Sequence, residues 1–302
     1  KRLLSNLEKD EIDALVIDLR NNGGGHLTEA TALTGLFIDN GPVVQLRNAN
    51  GRISRLDDPD PVPRSAYSGP LIVLVNRYSA SASEIFAAAI QDYERGIVVG
   101  QQTYGKGTVQ NLFALDQYVR RNQDELGQLT LTIGKYYRVT GESTQNRGVI
   151  PDIELPSYID IDNTGESSRD TALPWDKIKP SRYKKNQPME DSINQLKELH
   201  RERRKTDPEL IFLLKDIQET TLYRKQTTVS LNLNKRINER EAREDRKEAI
   251  DKIRIKADNN DAAQEENENL DINLNETAAI ATDFVKLNNS NSKSNQMASR
   301  SE

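Results

Sequence analysis

Ser81 and Lys106 are the two residues of this chain whose types and surroundings could together do covalent chemistry. A serine hydroxyl is a weak nucleophile until a neighbouring base takes its proton, and a lysine amine serves as that base when burial keeps it neutral. Ser81 lies in the run Asn76-Arg-Tyr-Ser-Ala-Ser81-Ala-Ser-Glu84, and Lys106 in the glycine loop Thr103-Tyr-Gly-Lys106-Gly. The pair reads as a Ser/Lys hydrolase. Position alone leaves the nucleophile open among Ser79, Ser81 and Ser83, and Ser81-x-x-Glu84 also has the form of a capping box, in which the serine only caps a helix.

The flanking residues say what must position them. Leu71–Val75 is a continuous apolar run of strand length, and the alanine-rich segment from Ser83 to Tyr93 is built of strong helix formers. Ser81 therefore falls at a strand-to-helix junction, where unpaired N–H groups and the helix dipole favour an oxyanion; the N–H of Ala82 is the natural first donor. A second junction repeats the arrangement: a strand over Ala14–Leu19, the loop Arg20-Asn-Asn-Gly23-Gly24-Gly25, and a helix from Leu27 to Phe37. Glycines let the backbone approach a ligand closely and turn N–H groups toward it. That loop reads either as a turn or as the source of a second oxyanion donor.

Rival chemistries are weaker. The two histidines are His26 and His200, so a Ser-His-Asp triad would have to use His26, which reads better as a residue opening a helix. Gly100-Gln-Gln-Thr-Tyr-Gly105-Lys106 satisfies the start of a phosphate-loop pattern, but Gly107 stands where Ser or Thr should, and Thr108–Leu115 reads as a strand where a helix is required. The acidic cluster at Asp57, Asp58 and Asp60, set among prolines, reads as a solvated turn rather than a metal site.

Four ordered motifs, Asp18-Leu-Arg-Asn-Asn-Gly-Gly-Gly25, Ser79-Ala-Ser-Ala-Ser-Glu-Ile-Phe-Ala-Ala-Ala89, Gly105-Lys-Gly-Thr-Val-Gln110 and Ser143-Thr-Gln-Asn-Arg-Gly-Val-Ile-Pro-Asp152, make the chain resemble the tail-specific (C-terminal processing) serine proteases of bacteria. The resemblance implies an α/β catalytic core of the crotonase-like kind followed by a mainly helical region. It also implies Ser81 as nucleophile, Lys106 as general base and Gln110 as the residue that positions the lysine. Asp92 matches an aspartate needed for function or folding, Gly25 with Ala82 an oxyanion hole, and Gly24, Glu84 and Thr103 supporting positions. Protein substrates with apolar C-terminal tails, a lipoprotein adaptor and a periplasmic location follow from the same resemblance, with no cofactor, metal or nucleic acid. His26 and Asn76 depart from the pattern, where a small or aliphatic residue and an aspartate are expected. Two other readings use the same residues: a crotonase-like acyl-CoA enzyme holding an enolate with these donors, and a non-catalytic scaffold that binds partners through charged helices.

Composition sets the rest. A chain of 302 residues is long enough for about two domains and a sizeable core. Apolar runs concentrate early, giving a catalytic core over 1–156, a polar linker over 157–188, a charged helical domain over 189–256 and a polar segment over 257–302 that is partly disordered. Within the charged region Ile193, Leu196 and Leu199 share a face, Leu210 to Leu214 form an apolar patch, and Thr277 to Phe284 forms one helical patch near the end. Charges of both signs are closely mixed, 42 basic against 47 acidic, which argues for solvated helices rather than a nucleic-acid surface. No cysteine is present, which excludes a disulfide framework and a thiol nucleophile. The chain opens on Lys1-Arg-Leu-Leu, without methionine, transmembrane run or signal peptide, and so reads as a fragment without the PDZ module that the resemblance places upstream.

Overall fold

A computed structural model of the chain describes residues 1–60, 65–118, 126–242, 244–245 and 271–298. Its core is a parallel sheet in the order β1-β4-β5-β8, formed by β1 (Leu15–Asp18), β4 (Leu71–Val75), β5 (Ile97–Gly100) and β8 (Ile153–Glu154). The unbroken apolar run of β4 is explained by burial on both faces. Leu71, Val73 and Val75 join Phe37, Phe86, Ala87 and Ile90, whereas Ile72 and Leu74 join Ile97, Val99, Leu196, Ile280 and Phe284. All five β4 residues are at most 1 % exposed, and burying five such side chains contributes on the order of 10 kcal/mol before chain entropy is subtracted.

A second sheet is antiparallel, in the order β3-β2-β7-β6, with β2 (Pro42–Asn48), β3 (Ile53–Asp57), β6 (Thr108–Ala114) and β7 (Gln128–Tyr137). Three helices accompany the sheets: α1 (Arg2–Lys9), α2 (Leu27–Thr34) and α3 (Ala82–Asp92). The alanines of α3 leave room for close packing, and Ala89 and Ile85 meet Val43, Val44 and Tyr136 in a further apolar cluster. The expected helix from Leu27 to Phe37 ends at Thr34, capped by Gly35.

The chain divides into two compact units. One comprises Lys1–Leu155, Ile159–Leu196 and Thr277–Glu302; the other comprises Pro156–Tyr158 with Lys197–Glu276. The expected linker over 157–188 is therefore largely part of the first unit. Gln101 Nε2 donates to the Ile159 carbonyl (2.8 Å), Trp175 Nε1 to the Ser143 carbonyl (2.8 Å), and the Asn186 N–H to the Tyr93 carbonyl (2.9 Å). Asp176 takes hydrogen bonds from Lys135, Arg47 and Tyr137. Contacts of this kind join residues far apart in sequence and leave no periodicity to read. The polar segment expected over 257–302 holds more helix than the single patch at Thr277–Phe284. A C-terminal helix runs over Ile272–Ala298, and Ile280, Ala281 and Phe284 enter the core beside Ile72 and Leu74. Of that expectation, 257–270 and 299–302 lie outside the described residues, as does 246–256 of the charged region.

Helix α4 (Glu190–Thr206) begins in the first unit, and its part in the second carries the buried His200, whose Nδ1 lies 2.7 Å from Glu276 Oε1, while Arg203 Nε donates to the same carboxylate at 2.9 and 3.0 Å. Helix α5 (Pro208–Arg224) is capped by Asp207, which accepts from the N–H groups of Glu209 and Leu210. Leu210 and Leu213 of the expected apolar patch are buried, and Ile211 is exposed.

Candidate active site

Ser81 occupies the turn between β4 and α3 with φ 56° and ψ −113°, a left-handed conformation uncommon for a residue with a side chain. Holding it there costs about 1–3 kcal/mol, and a sharp, strained strand-to-helix turn of this kind lifts a serine side chain clear of the sheet. The other two serines of the run are occupied and buried. Ser79 Oγ donates to the Leu19 carbonyl (2.8 Å) and Ser83 Oγ to the Asn22 carbonyl (3.0 Å). Ser81 stays partly exposed and also forms the expected capping box with Glu84 at the start of α3.

The glycine loop packs directly on this turn. Gly24 has φ +97°, and a Cβ placed there would lie 2.7 Å from the Ala80 carbonyl oxygen, 2.8 Å from Ala82 N and 2.9 Å from Ser81 Cβ. The Asn22 carbonyl accepts from Ala80 N–H at 3.0 Å, and Asn76 Oδ1 accepts from Asn21 N–H at 3.0 Å, so loop and turn are stitched together. Asn76 Nδ2 also donates to Asn21 Oδ1 (2.9 Å), a bond that the aspartate expected at this position could not make. Among the described residues neither Gly25 N–H nor Ala82 N–H carries a hydrogen bond. Both remain available to a ligand.

Lys106 lies in the loop from β5 to β6, and its Nζ donates to Gln110 Oε1 at 3.2 Å. No hydrogen bond joins Lys106 Nζ to Ser81 Oγ among the described residues, and Lys106 is only partly buried, less than the sequence reading asks. Bonds of this kind commonly form only when substrate is bound. The Ser143–Asp152 motif cradles the loop: Gln145 Oε1 accepts from Gly107 N–H (2.8 Å), Asn146 N–H donates to the Gly105 carbonyl (2.8 Å), and Val149 N–H donates to Thr103 Oγ1 (2.7 Å). A strand, β6, follows the loop instead of a helix, which removes the phosphate-loop reading.

Glu84 binds the two halves together. Its fully buried carboxylate accepts from Ser81 N–H (2.8 Å) and Lys106 N–H (3.0 Å) on Oε2, and from Thr103 Oγ1 (2.6 Å) and Gly105 N–H (2.7 Å) on Oε1. Burial pushes its carboxyl up to about 7, against the opposing pull of the Thr103 hydroxyl and the N–H groups of Gly105, Ser81 and Lys106.

Asp92 is not brought to this site. It ends α3, roughly 16 Å along the helix axis from Ser81 at 1.5 Å per residue, and pairs with Arg138, whose Nε lies 3.2 and 3.1 Å from the two carboxylate oxygens. Burial raises the Asp92 carboxyl while Arg138 pulls it down, the pattern of a desolvated structural ion pair. His26 is exposed at the N-cap of α2 without a capping bond, and His200 lies in the second unit. Among the described residues no group of acidic or histidine side chains could hold a metal ion.

Two residues that the sequence did not single out also shape the site. Arg77 is 1 % exposed and donates to the carbonyls of Thr103, Thr164 (2.6 Å) and Ile161 (3.1 Å), fastening 161–164 to the lysine loop. Tyr136, on β7, reaches the carbonyls of Lys106 and Ser81 (3.2 Å).

A family model described as Peptidase family S41 matches residues 1–155, and one described as the C-terminal domain of tail specific protease matches residues 159–286. The chain is 43% identical over 311 residues to the Tail-specific protease of Haemophilus influenzae, an alignment covering 100% of this chain and 44% of that protein. Over 154 residues it is 38% identical to the Carboxy-terminal-processing protease of Bartonella bacilliformis, covering 51% of this chain and 33% of that one. Among solved structures, the photosystem II D1 C-terminal processing protease aligns with TM-score 0.44 and 31% identity over 53% of this chain and 39% of its own. The chain thus spans less than half the length of these curated relatives.

Proposed function

We propose, from the premise that this chain belongs to peptidase family S41, that it carries the catalytic centre of a serine endopeptidase in which Ser81 attacks peptide carbonyls with Lys106 as general base. The observation that carries this reading is the shared anchoring of the two residues: both donate their N–H groups to Glu84 Oε2, so a strained serine turn and a lysine loop are held in fixed register.

The chemistry follows from the groups present. Lys106 Nζ takes the Ser81 hydroxyl proton as Oγ bonds to the scissile carbonyl carbon, and the carbonyl oxygen becomes negative. The N–H groups of Gly25 and Ala82, which carry no hydrogen bond among the described residues, are the donors assigned to that oxygen; one such donor is worth about 10²–10³ in rate. Collapse expels the amine, which takes the proton back from Lys106. Water, activated by the same lysine, then releases the acyl group from Ser81. Gln110 holds Nζ between turnovers through its 3.2 Å bond.

Protein substrates recognised by their tails complete the proposal, in line with the name of the Haemophilus influenzae relative, Tail-specific protease; apolar tails, a lipoprotein adaptor and a periplasmic location rest on the motif resemblance alone. Incubating the protein and its Ser81→Ala form with a reporter protein bearing an apolar tail tests it. Cleavage by the wild type alone is expected; equal cleavage by both would overturn the reading.

A further inference from the structure

We propose that Tyr136 is a positioning residue for this hydrolysis, its hydroxyl fixing the main chain at Ser81 and at Lys106 from a single point. Ser81 caps α3 in the turn that follows β4 of the parallel sheet, and Lys106 lies on the crossing from that sheet to the antiparallel one. Their separation is set only as well as the two sheets are held together there. Tyr136 comes from the antiparallel sheet and is 2 % exposed. Its hydroxyl donates to the Lys106 carbonyl and lies 3.2 Å from the Ser81 carbonyl oxygen and 3.5 Å from Glu84 Oε2. Its own N–H donates to the Gly107 carbonyl at 2.9 Å. Glu84 thus grips the N–H groups of both residues and Tyr136 their carbonyls, one peptide group on from each other. Burial and the nearby Glu84 carboxylate hold the phenol pKa well above its ordinary value, so the hydroxyl keeps its proton and remains a donor across the working range. A core tyrosine that merely satisfied its own hydroxyl would need one acceptor. This one sits between the backbones of the two reacting residues.

Tyr136 holds this role only if Ser81 and Lys106 are the dyad, and an active Ser81→Ala protein would remove that premise rather than the clamp. The test compares Tyr136→Phe with proteins carrying p-aminophenylalanine or p-methylphenylalanine at 136, using fluorescein-labelled casein as substrate and active-site titration to count folded enzyme. A misplacement of about 1 Å at a reacting group can cost on the order of 10²-fold. Tyr136→Phe and the methyl variant should therefore lose roughly 10- to 100-fold in kcat with KM nearly unchanged, and the amino variant, which keeps a donor, should recover most of it. Should Tyr136→Phe fail to fold, the amino and methyl variants decide the matter. Equal kcat in those two variants, or wild-type kcat in Tyr136→Phe, would overturn the inference.

Discussion

Ser81 and Lys106 donate their backbone N–H groups to the same oxygen, Glu84 Oε2, at 2.8 and 3.0 Å. The nucleophile and the base of the proposed dyad thus share one buried anchor, and most of what can be tested follows from it.

Glu84→Gln should inactivate the protein despite its identical size. Each carboxylate oxygen accepts from two donors, so either orientation of an amide sets an NH2 group against two of them. Leaving buried donors unpaired costs about 1–3 kcal/mol each. Thermal unfolding and kcat/KM measured together check this; a stable, active Glu84→Gln protein would refute the anchor.

The same carboxyl predicts a pH dependence of stability. Its folded value, up to about 7, lies above the 4.5 of an exposed glutamate, so between these limits the folded state binds more protons than the unfolded. The contribution is present in full below pH 4.5 and is lost as pH rises through about 7. Its size is on the order of 3 kcal/mol. The stability difference between wild type and Glu84→Gln should accordingly shrink from pH 4.5 to 7 and level off above; a difference flat over that window would contradict it.

Adjacent glycines should behave differently. Gly24→Ala would drive a Cβ into the Ala80–Ala82 backbone at a φ of +97°, and should cost activity by about 10²-fold or more through the displaced serine turn. Gly25→Ala meets nothing within 4 Å and keeps its N–H, so its turnover should stay within a few-fold of wild type. Steady-state kinetics of the pair decide whether Gly24 is the close-packed position.

Much of this site is legible in the sequence, and the illegible part has a physical cause. The apolar run of β4, the alanine-rich α3 and the glycine loop before α2 each advertise themselves within a few residues, and they place Ser81, Ala82 and Gly25. Two features are illegible locally. The resemblance leaves Asp92 open between function and folding, because its partner Arg138 is distant in sequence and no local pattern reveals a buried ion pair. The prolines and polar residues after 156 look like a linker because single long-range bonds, such as Arg77 to Thr164, hold them in place of an apolar stripe. Tyr136 was invisible for a related reason: nothing in a strand's alternation says that one hydroxyl reaches two loops.

Asp92→Ala should act on stability rather than chemistry. It leaves Arg138 buried without its partner, a loss of about 3–5 kcal/mol, while a double variant with Arg138→Met should recover much of that. Denaturant unfolding of the two variants, with turnover normalised to folded enzyme, checks the claim. Normal stability with abolished turnover in Asp92→Ala would return the aspartate to the catalytic set.

The most direct test of the Ser81/Lys106 dyad is covalent. A fluorophosphonate reacts with an activated serine, and peptide mapping locates the adduct by mass. The account predicts a single adduct on Ser81, formed by wild type and His26→Ala at similar rates and lost in Lys106→Ala and in Lys106→Arg, because a guanidinium stays protonated and cannot take the proton. An adduct on Ser79 or Ser83, or a labelling rate at Ser81 indifferent to the loss of Lys106, would contradict it.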